Sequence, residues 1–302
     1  MSTLREVAEL TEQLSDDDYR LLSALARFLG RRRYVGVDVI SKVTGHPEDF
    51  VSRSLKRLHS MKLLARGSAG YSLVYAGLDA LALHSLRRAG RLDALGIPIA
   101  MGKESDVYAG LLGGREVAVK AYRIGRVSFR RVKRLRTYGP RVHEWLLASI
   151  RSAAAEFRNL RRAFSAGLPV PEPLSLRYHV LVMDRLDGVI LRYADDVEDP
   201  RALLFEILGV VRRCYLDVGL VHADLNEFNV IVGPAGAFVV DWPQAVDAAS
   251  PAAVDYLRRD LENLIRFFGE RFGVELDLGF ALDYVMGRSG SDQRTDSSPS
   301  TT

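Results

Sequence analysis

Residues 222–241 read HADLNEFNVIVGPAGAFVVD, and the order of His222, Asp224, Asn229 and Asp241 along that stretch decides how the rest of the chain is understood. The apolar run 228–232, the turn 233–236 and the apolar run 237–240 predict a β-hairpin with Asp241 at its far end. Asp224 and Asn229 flank the short loop that leads into it. Taken singly, Asp and Asn side chains cap turns by accepting from loop N–H groups. Taken together, two carboxylates and an amide closing on one hairpin repel one another unless they share a cation. A carboxylate that orients a hydroxyl or water, with an amide and a second carboxylate that hold Mg²⁺ on phosphate oxygens, is the division of labour in phosphoryl transfer. Asp224, Asn229 and Asp241 are therefore the candidate catalytic residues, and Asn229 with Asp241 the candidate metal ligands.

Such a site needs a phosphate cradle and a lysine upstream. Residues 97–109 read IPIAMGKESDVYA, followed by a turn at 112–114 and the strand 116–120, EVAVK. Gly102 lets the backbone approach an anion, the N–H groups of Lys103 and Glu104 adjoin it, and Ser105 adds a hydroxyl. Of the three glycines of a full G-x-G-x-x-G loop only one is present, with Ala100 and Ser105 in the other places. Lys120 closes an apolar strand, where burying an amine is unfavourable unless a fixed anion offsets it. A following helix, 145–164, offers Glu156 as the partner that orients Lys120. It is expected at the edge of an inward stripe of Ala153, Phe157, Leu160 and Phe164, with Glu144 preceding the helix as a charge placed for its dipole. After a Pro-rich loop at 167–173, the strand 179–183 leads into Asp184-Arg185-Leu186-Asp187-Gly188. An adenine ring would meet backbone groups near Asp184 and Leu186 there, with Met183 as a soft wall.

The segments MGKESDVY (101–108), VAVKAYRIGRVSFR (117–130), AAAEFRNL (153–160), PVPEP (169–173), HADLNEFN (222–229) and DWPQ (241–244) resemble the RIO family of atypical serine/threonine protein kinases. More narrowly they resemble its branch with an N-terminal winged helix. The likeness runs from about residue 15 to 287. It implies an α+β fold, a winged helix followed by a compact two-lobed protein-kinase-like domain. It further implies that Lys120 binds the phosphates of ATP and Glu156 pairs with it, that residues 102–105 form the nucleotide loop, that Asp224 is the catalytic aspartate, and that Asn229 and Asp241 hold Mg²⁺ or Mn²⁺. Maturation of the small ribosomal subunit is the implied setting. Three residues depart from the family pattern: Ala100 and Ala223 stand where glycine is usual, and Trp242 where phenylalanine is.

An ordinary protein kinase follows its metal aspartate with a long activation segment, whereas here only residues 242–251 separate Asp241 from a helical stretch at 252–272. That shortfall leaves autophosphorylation, action on a docked assembly, and ATP hydrolysis with Asp241 as a phospho-acceptor in competition. A DNA-binding regulator with a merely nucleotide-sensing domain is disfavoured because Lys120, Asp224 and Asp241 are all retained. A small-molecule kinase would need a helical insert for its acceptor.

The expected organisation is a winged helix with its linker helix at 1–85, a small lobe with a basic loop at 86–183, a large lobe at 184–287 and a disordered tail at 288–302. Residues 38–44 and 50–62 read as two helices, the second burying Val51, Leu55, Leu58 and Met61 and presenting Arg53, Lys56, Arg57 and Lys62. Two wing strands follow, the second at 71–75, with Arg66 on the wing, and then the linker helix 76–90. Over 302 residues with 48% apolar content the net charge is only +4. Yet residues 120–143 hold nine Lys or Arg and no acid: Lys120, Arg123, Arg126, Arg130, Arg131, Lys133, Arg134, Arg136 and Arg141. Interleaved with Tyr122, Phe129 and Tyr138, this run predicts contact with nucleic acid, through it and the winged helix. The family resemblance makes that ribosomal RNA of a small-subunit precursor. The single cysteine, Cys214, reads as a buried apolar residue in a helical run at 205–216. With no apolar stretch of membrane-spanning length, a cytoplasmic monomer is expected.

Overall fold

The computed structural model describes residues 3–125 and 141–288. Most of the basic run, including Arg126, Arg130, Arg131, Lys133, Arg134 and Arg136, and the expected tail beyond 288 lie outside the described residues. The chain divides into two compact units, Met1–Arg158 with Glu172–Arg185, and Asn159–Pro171 with Leu186–Thr302.

The first unit opens with α1 (Leu4–Thr11) and α2 (Asp16–Ala26), each started by a capping box, Thr3 with Glu6 and Ser15 with Asp18. Next come α3 (Val37–Thr44), stopped by Gly45 in the left-handed region, and α4 (Glu48–Ser60), which buries Val51, Leu55 and Leu58. The wing is the hairpin of β1 (Leu64–Gly67) and β2 (Gly70–Leu73), to which Val35 adds a bridge at Tyr71. The second wing strand is shorter than expected because Tyr75 starts α5 (Tyr75–Arg88). Its hydroxyl lies 2.7 Å from that of Ser149 and 2.8 Å from the carbonyl of Ile124.

Helix α5 is buried on nearly every side. One face joins the winged-helix core with Leu21, Leu25, Leu55 and Leu58, and Ala82, Leu83 and Leu86 join a second core on the sheet that follows. At Gly77 a Cβ would sit 2.3 Å from the carbonyl oxygen of Leu63, so only glycine lets helix and wing approach so closely.

That sheet has five strands in the order β3-β4-β5-β7-β6: β3 (Ala94–Met101), β4 (Ser105–Leu112), β5 (Arg115–Tyr122), β6 (Pro173–Arg177) and β7 (Val180–Asp184). Strand β6 takes up Pro173, the last residue of the expected loop at 167–173. Helix α6 (Arg141–Ser165) begins earlier than expected, so Glu144 lies inside its first turn. Because side chains alternate across a strand, Val117, Val119 and Ala121 of β5 enter the core beneath α5. Ala118, Lys120 and Tyr122 therefore face the other way.

The second unit contains β8 (Val189–Ile190), a 3₁₀ turn (Leu191–Tyr193) and α7 (Pro200–Arg213), capped by Asp199. The helical run continues through Cys214 as a π turn (Cys214–Val218) ended by Gly219. The Cys214 thiol donates to the carbonyl of Leu220, and burial pushes its pKa up to about 12. The unit continues with β9 (Leu220–Val221), the hairpin β10 (Val230–Gly233) and β11 (Gly236–Val239), β12 (Val246–Asp247), α8 (Ala253–Phe272) and α9 (Leu278–Met286). Among the described residues no helix is long and apolar enough to cross a membrane.

Candidate active site

In the first unit Lys120 pairs in register with Val107 on one side and Leu181 on the other, in the middle of the sheet, and is 4% exposed. Its amine lies 2.7 Å from one carboxylate oxygen of Glu156, and the hydroxyl of Tyr122 donates to the other at 2.6 Å. Tyr122 is two residues beyond Lys120 and so on the same sheet face. Glu156 is not at the edge of a stripe. Helix α6 buries Leu146, Ser149, Ala153, Glu156, Leu160 and Ala163, while Phe157 is half-buried and Phe164 exposed. The carboxylate is therefore central to the buried face, and the two aromatic residues lie off it.

The turn between β3 and β4 is tight. The N–H of Gly102 donates to the carbonyl of Ser105 at 2.8 Å, and a Cβ at Gly102 would come within 2.9 Å of that oxygen. Ala100 is paired with Val107, just after a register shift between Pro98 and Ala100. Lys103 and Glu104 are exposed at the tip, and the carbonyl of Glu104 accepts from the N–H of Arg123.

Arg123 corrects the reading of the basic run. It is wholly buried, its guanidinium gripping Asp79 of α5 at 2.6 and 2.9 Å, with His179 at 3.1 Å and Asp106 at 4.0 Å. Burial alone would raise the Asp79 pKa, but Arg123 and His179 outweigh it and hold it below the usual range. For His179 burial wins over the pull of Asp79 and lowers the pKa, so the imidazole is neutral. Neither Lys120 nor Arg123 can reach a solvent phosphate backbone from the surface. Arg57 of α4 is likewise committed, to buried Asp18.

Met183 on β7 is 9% exposed and pairs with Ala118. The N–H of Asp184 donates to the carbonyl of Glu172 at 3.0 Å, and its carboxylate pairs with Arg115. Leu186, half-buried, starts the second unit.

In the second unit the loop 222–229 is tied down from both ends. Ala223 adopts φ 66°, a left-handed conformation in which glycine is at ease and a Cβ costs about 1–2 kcal/mol. What holds it there is Asp260 of α8, which sequence reasoning missed. Its carboxylate accepts from the N–H of Ala223 at 2.7 Å and of Leu225 at 3.0 Å, while Arg259 donates to the carbonyl of Ala223. Burial pushes the Asp260 pKa up to about 7, with Asp224 adding to the rise and the two N–H groups and Arg259 opposing it.

The amide nitrogen of Asn229 donates to the carbonyl of Asp224 at 2.8 Å, which fixes the orientation of the amide and turns its oxygen away. Asn226 donates to the same carbonyl at 2.9 Å, and Gln244 approaches the Asp224 carboxylate at 3.3 Å. The N–H of Val240 donates to the carbonyl of Asn229 at 3.0 Å, which sets Asp241 one residue further on, at φ 69°. On either side of it, His222 meets the carbonyl of Val240 at 3.0 Å, so that ring nitrogen carries the proton, and Trp242 is 1% exposed. The indole finds its own partner in the carbonyl of Val239 at 3.0 Å, and Asn159 donates to the carbonyl of Trp242.

The hard-oxygen donors suit Mg²⁺: the amide oxygen of Asn229, fixed by its own N–H bond, and the carboxylate of Asp241 would hold it, with phosphates and water supplying further oxygen ligands. Among the described residues there is no group of three or more His, Cys, Asp or Glu that could hold a metal by itself.

A family model described as the RIO domain matches residues 106–279, and one described as the Rio2 N-terminal region matches 11–89. The chain is 34% identical over 273 residues to the serine/threonine-protein kinase rio2 of Schizosaccharomyces pombe, covering 88% of this chain and 79% of that one. It is 37% identical over 244 residues to the RIO-type serine/threonine-protein kinase Rio2 of Methanocaldococcus jannaschii, covering 78% and 90%. The crystal structure of an ADP/Mg²⁺-phosphoaspartate complex of the Rio2 kinase from Chaetomium thermophilum is similar with a TM-score of 0.81 at 30% identity, covering 93% of this chain and 89% of that one.

Proposed function

The chain belongs to the RIO family, in the branch with an N-terminal winged helix, and from that premise we propose that it is an ATP- and Mg²⁺-dependent serine/threonine kinase that phosphorylates itself and acts on precursors of the small ribosomal subunit. The observation that carries the reading is Lys120, whose buried amine is aimed by Glu156, itself held on its second oxygen by Tyr122. A lysine so placed is pre-oriented for an anion, and phosphates are the anions that the neighbouring turn at Gly102, Lys103, Glu104 and Ser105 would also meet. Adenine needs one acceptor and one donor on its edge. Since the N–H of Asp184 is already engaged, its carbonyl and the N–H of Leu186 are the groups proposed to serve, over Met183. Asp224 accepts the proton of the attacking hydroxyl. Asn229 and Asp241 hold Mg²⁺, which when bound neutralises charge on the phosphate oxygens.

A second reading is favoured by the phosphoaspartate named for the Chaetomium kinase. In it an oxygen of the Asp241 carboxylate attacks the γ-phosphorus, the bond to the β-phosphate oxygen breaks and ADP leaves. Water then cleaves the acyl phosphate, releasing phosphate and restoring the carboxylate. Hydrolysis would drive departure from the ribosomal precursor. Incubating the protein with γ-labelled ATP and Mg²⁺, with and without small ribosomal subunits, separates the two. Label that stays on protein and resists hydroxylamine supports Ser/Thr transfer, whereas free phosphate with a hydroxylamine-labile protein adduct supports the ATPase. Contact with ribosomal RNA is assigned to the winged-helix unit and to Arg126, Arg130, Arg131, Lys133, Arg134, Arg136 and Arg141, in a cytoplasmic monomer.

A further inference from the structure

Helices α2, α3 and α5 surround a cavity of about 640 Å³ in the first unit. Helix α2 contributes Asp16, Arg20 and Ser23 to its wall, and Arg27 follows at the helix's C-cap. Helix α5 contributes His84, Ser85 and Arg88. Intervals of three and four residues put Arg20, Ser23 and Arg27 on one face of α2, and set Arg88 beside both His84 and Ser85 on α5. All three arginines are exposed. Arg20 has Asp17 at 3.4 Å, and among the described residues Arg27 and Arg88 make no ion pair.

Three guanidinium groups lining one concave wall repel each other, against the one lining carboxylate of Asp16. The imidazole of His84 is stacked on Tyr19 with centroids 3.6 Å apart, and its pKa is lowered by burial first and by Arg88 second, against the opposing charge of Asp16. Guanidinium forks and serine hydroxyls together form the donor set that oxygen-rich phosphates select.

Helix α4, which a winged helix of the helix-turn-helix type would insert into a duplex groove, is poorly equipped by comparison. Its Arg57 is bound to Asp18, which leaves Arg53 and Lys56.

We propose that the cavity walled by Arg20, Arg27, Arg88, Ser23 and Ser85 binds backbone phosphate of RNA, so that the winged-helix unit meets its nucleic acid through α2 and α5 and not through α4. The choice of RNA as carrier of the phosphate rests on the function proposed above; the cavity and its charge do not.

The test uses the full chain and a fluorescein-labelled RNA hairpin with a single-stranded tail, followed by anisotropy across a salt titration. The R20E/R27E/R88E variant should bind at least about tenfold more weakly, with a log–log salt slope flatter by roughly 2–3, at about 0.7–0.9 for each phosphate no longer neutralised. The R53E/K56E variant should keep the parental slope to within about one. Histidine-labelled NMR gives a readout confined to the site: RNA should raise the titration midpoint of His84 in the parent and leave it unmoved in the triple variant. Parental ATP turnover in that variant certifies its fold, because none of the three arginines belongs to the catalytic set. RNA bound equally by parent and triple variant, or an unresponsive His84 in an RNA-bound parent, overturns the site. A parent that binds no RNA overturns the partner reading and with it the choice of RNA.

Discussion

Replacing Asp260 should disable the enzyme without touching any residue assigned to ATP. Its two carboxylate oxygens accept from the N–H groups of Ala223 and Leu225, on either side of Asp224. In Asp260→Ala both buried donors lose their acceptor, at about 1–3 kcal/mol each, so stability should fall by roughly 2–6 kcal/mol. The left-handed conformation of Ala223 also loses its restraint, and displacement of Asp224 by about 1 Å is enough for a loss of turnover on the order of a hundredfold. Asp260→Asn keeps the shape and removes the titration. Because the folded-state pKa of about 7 lies above the ordinary 3.8, the folded chain binds a proton that the unfolded chain has released. Stability from this group therefore falls as pH rises between about 4 and 7 and levels off above, by roughly 4 kcal/mol in all. Urea unfolding from about pH 5 to pH 8 should show the parent losing its advantage over Asp260→Asn as pH rises. A parent-minus-Asn difference independent of pH, or parental turnover and urea midpoint in Asp260→Ala, would refute the role given to Asp260.

Lys120→Met should abolish turnover and cost about 3–5 kcal/mol by leaving the Glu156 carboxylate buried without its ammonium; in Lys120→Met/Glu156→Leu the urea midpoint should recover while turnover stays absent. Arg123→Met takes the guanidinium from buried Asp79, leaving it His179 at 2.8 Å, and should cost about 3–5 kcal/mol, with part regained on adding Asp79→Leu, as a double-mutant cycle would show. At Ala223 glycine removes a left-handed penalty of about 1–2 kcal/mol against an unfolded-state entropy term of about 0.4–1 kcal/mol, so Ala223→Gly should raise the urea midpoint slightly and keep turnover. A lowered midpoint would mean that the φ of 66° is not strained.

Local chemistry was legible where neighbours in sequence are neighbours in space. The alternation of Val117, Ala118, Val119 and Lys120 places the lysine on one sheet face, and the hairpin 230–239 forms as its turn residues predict. The burial of α6 was harder to read, because hydrophobicity favours Phe157 and Phe164 as the inner face. The buried face instead includes Ala153 and Glu156, with the carboxylate taken up by Lys120 and Tyr122. Asp260 could not be recognised: an acid in an amphipathic helix normally faces water, and its partners lie 35 and 37 residues away. Its place between Leu257, Leu261 and Leu264 on the buried side of α8 was the one available sign. Arg123 was absorbed into a run of basic residues for the same reason, its partners Asp79 and His179 being 44 and 56 residues distant. Ala223 shows the converse, where a resemblance flagged a glycine position and the backbone angle supplies the cause.

The most direct test of the central claim is Asp241→Asn, assayed for nucleotide affinity and for turnover of γ-labelled ATP with Mg²⁺. Loss of one charge beside Asn229 should remove Mg²⁺-dependent turnover, and the hydroxylamine-labile adduct if there is one, while ATP still binds through Lys120 and the segment at 183–186. Turnover at the parental rate in Asp241→Asn would contradict the assignment of phosphoryl transfer to this hairpin.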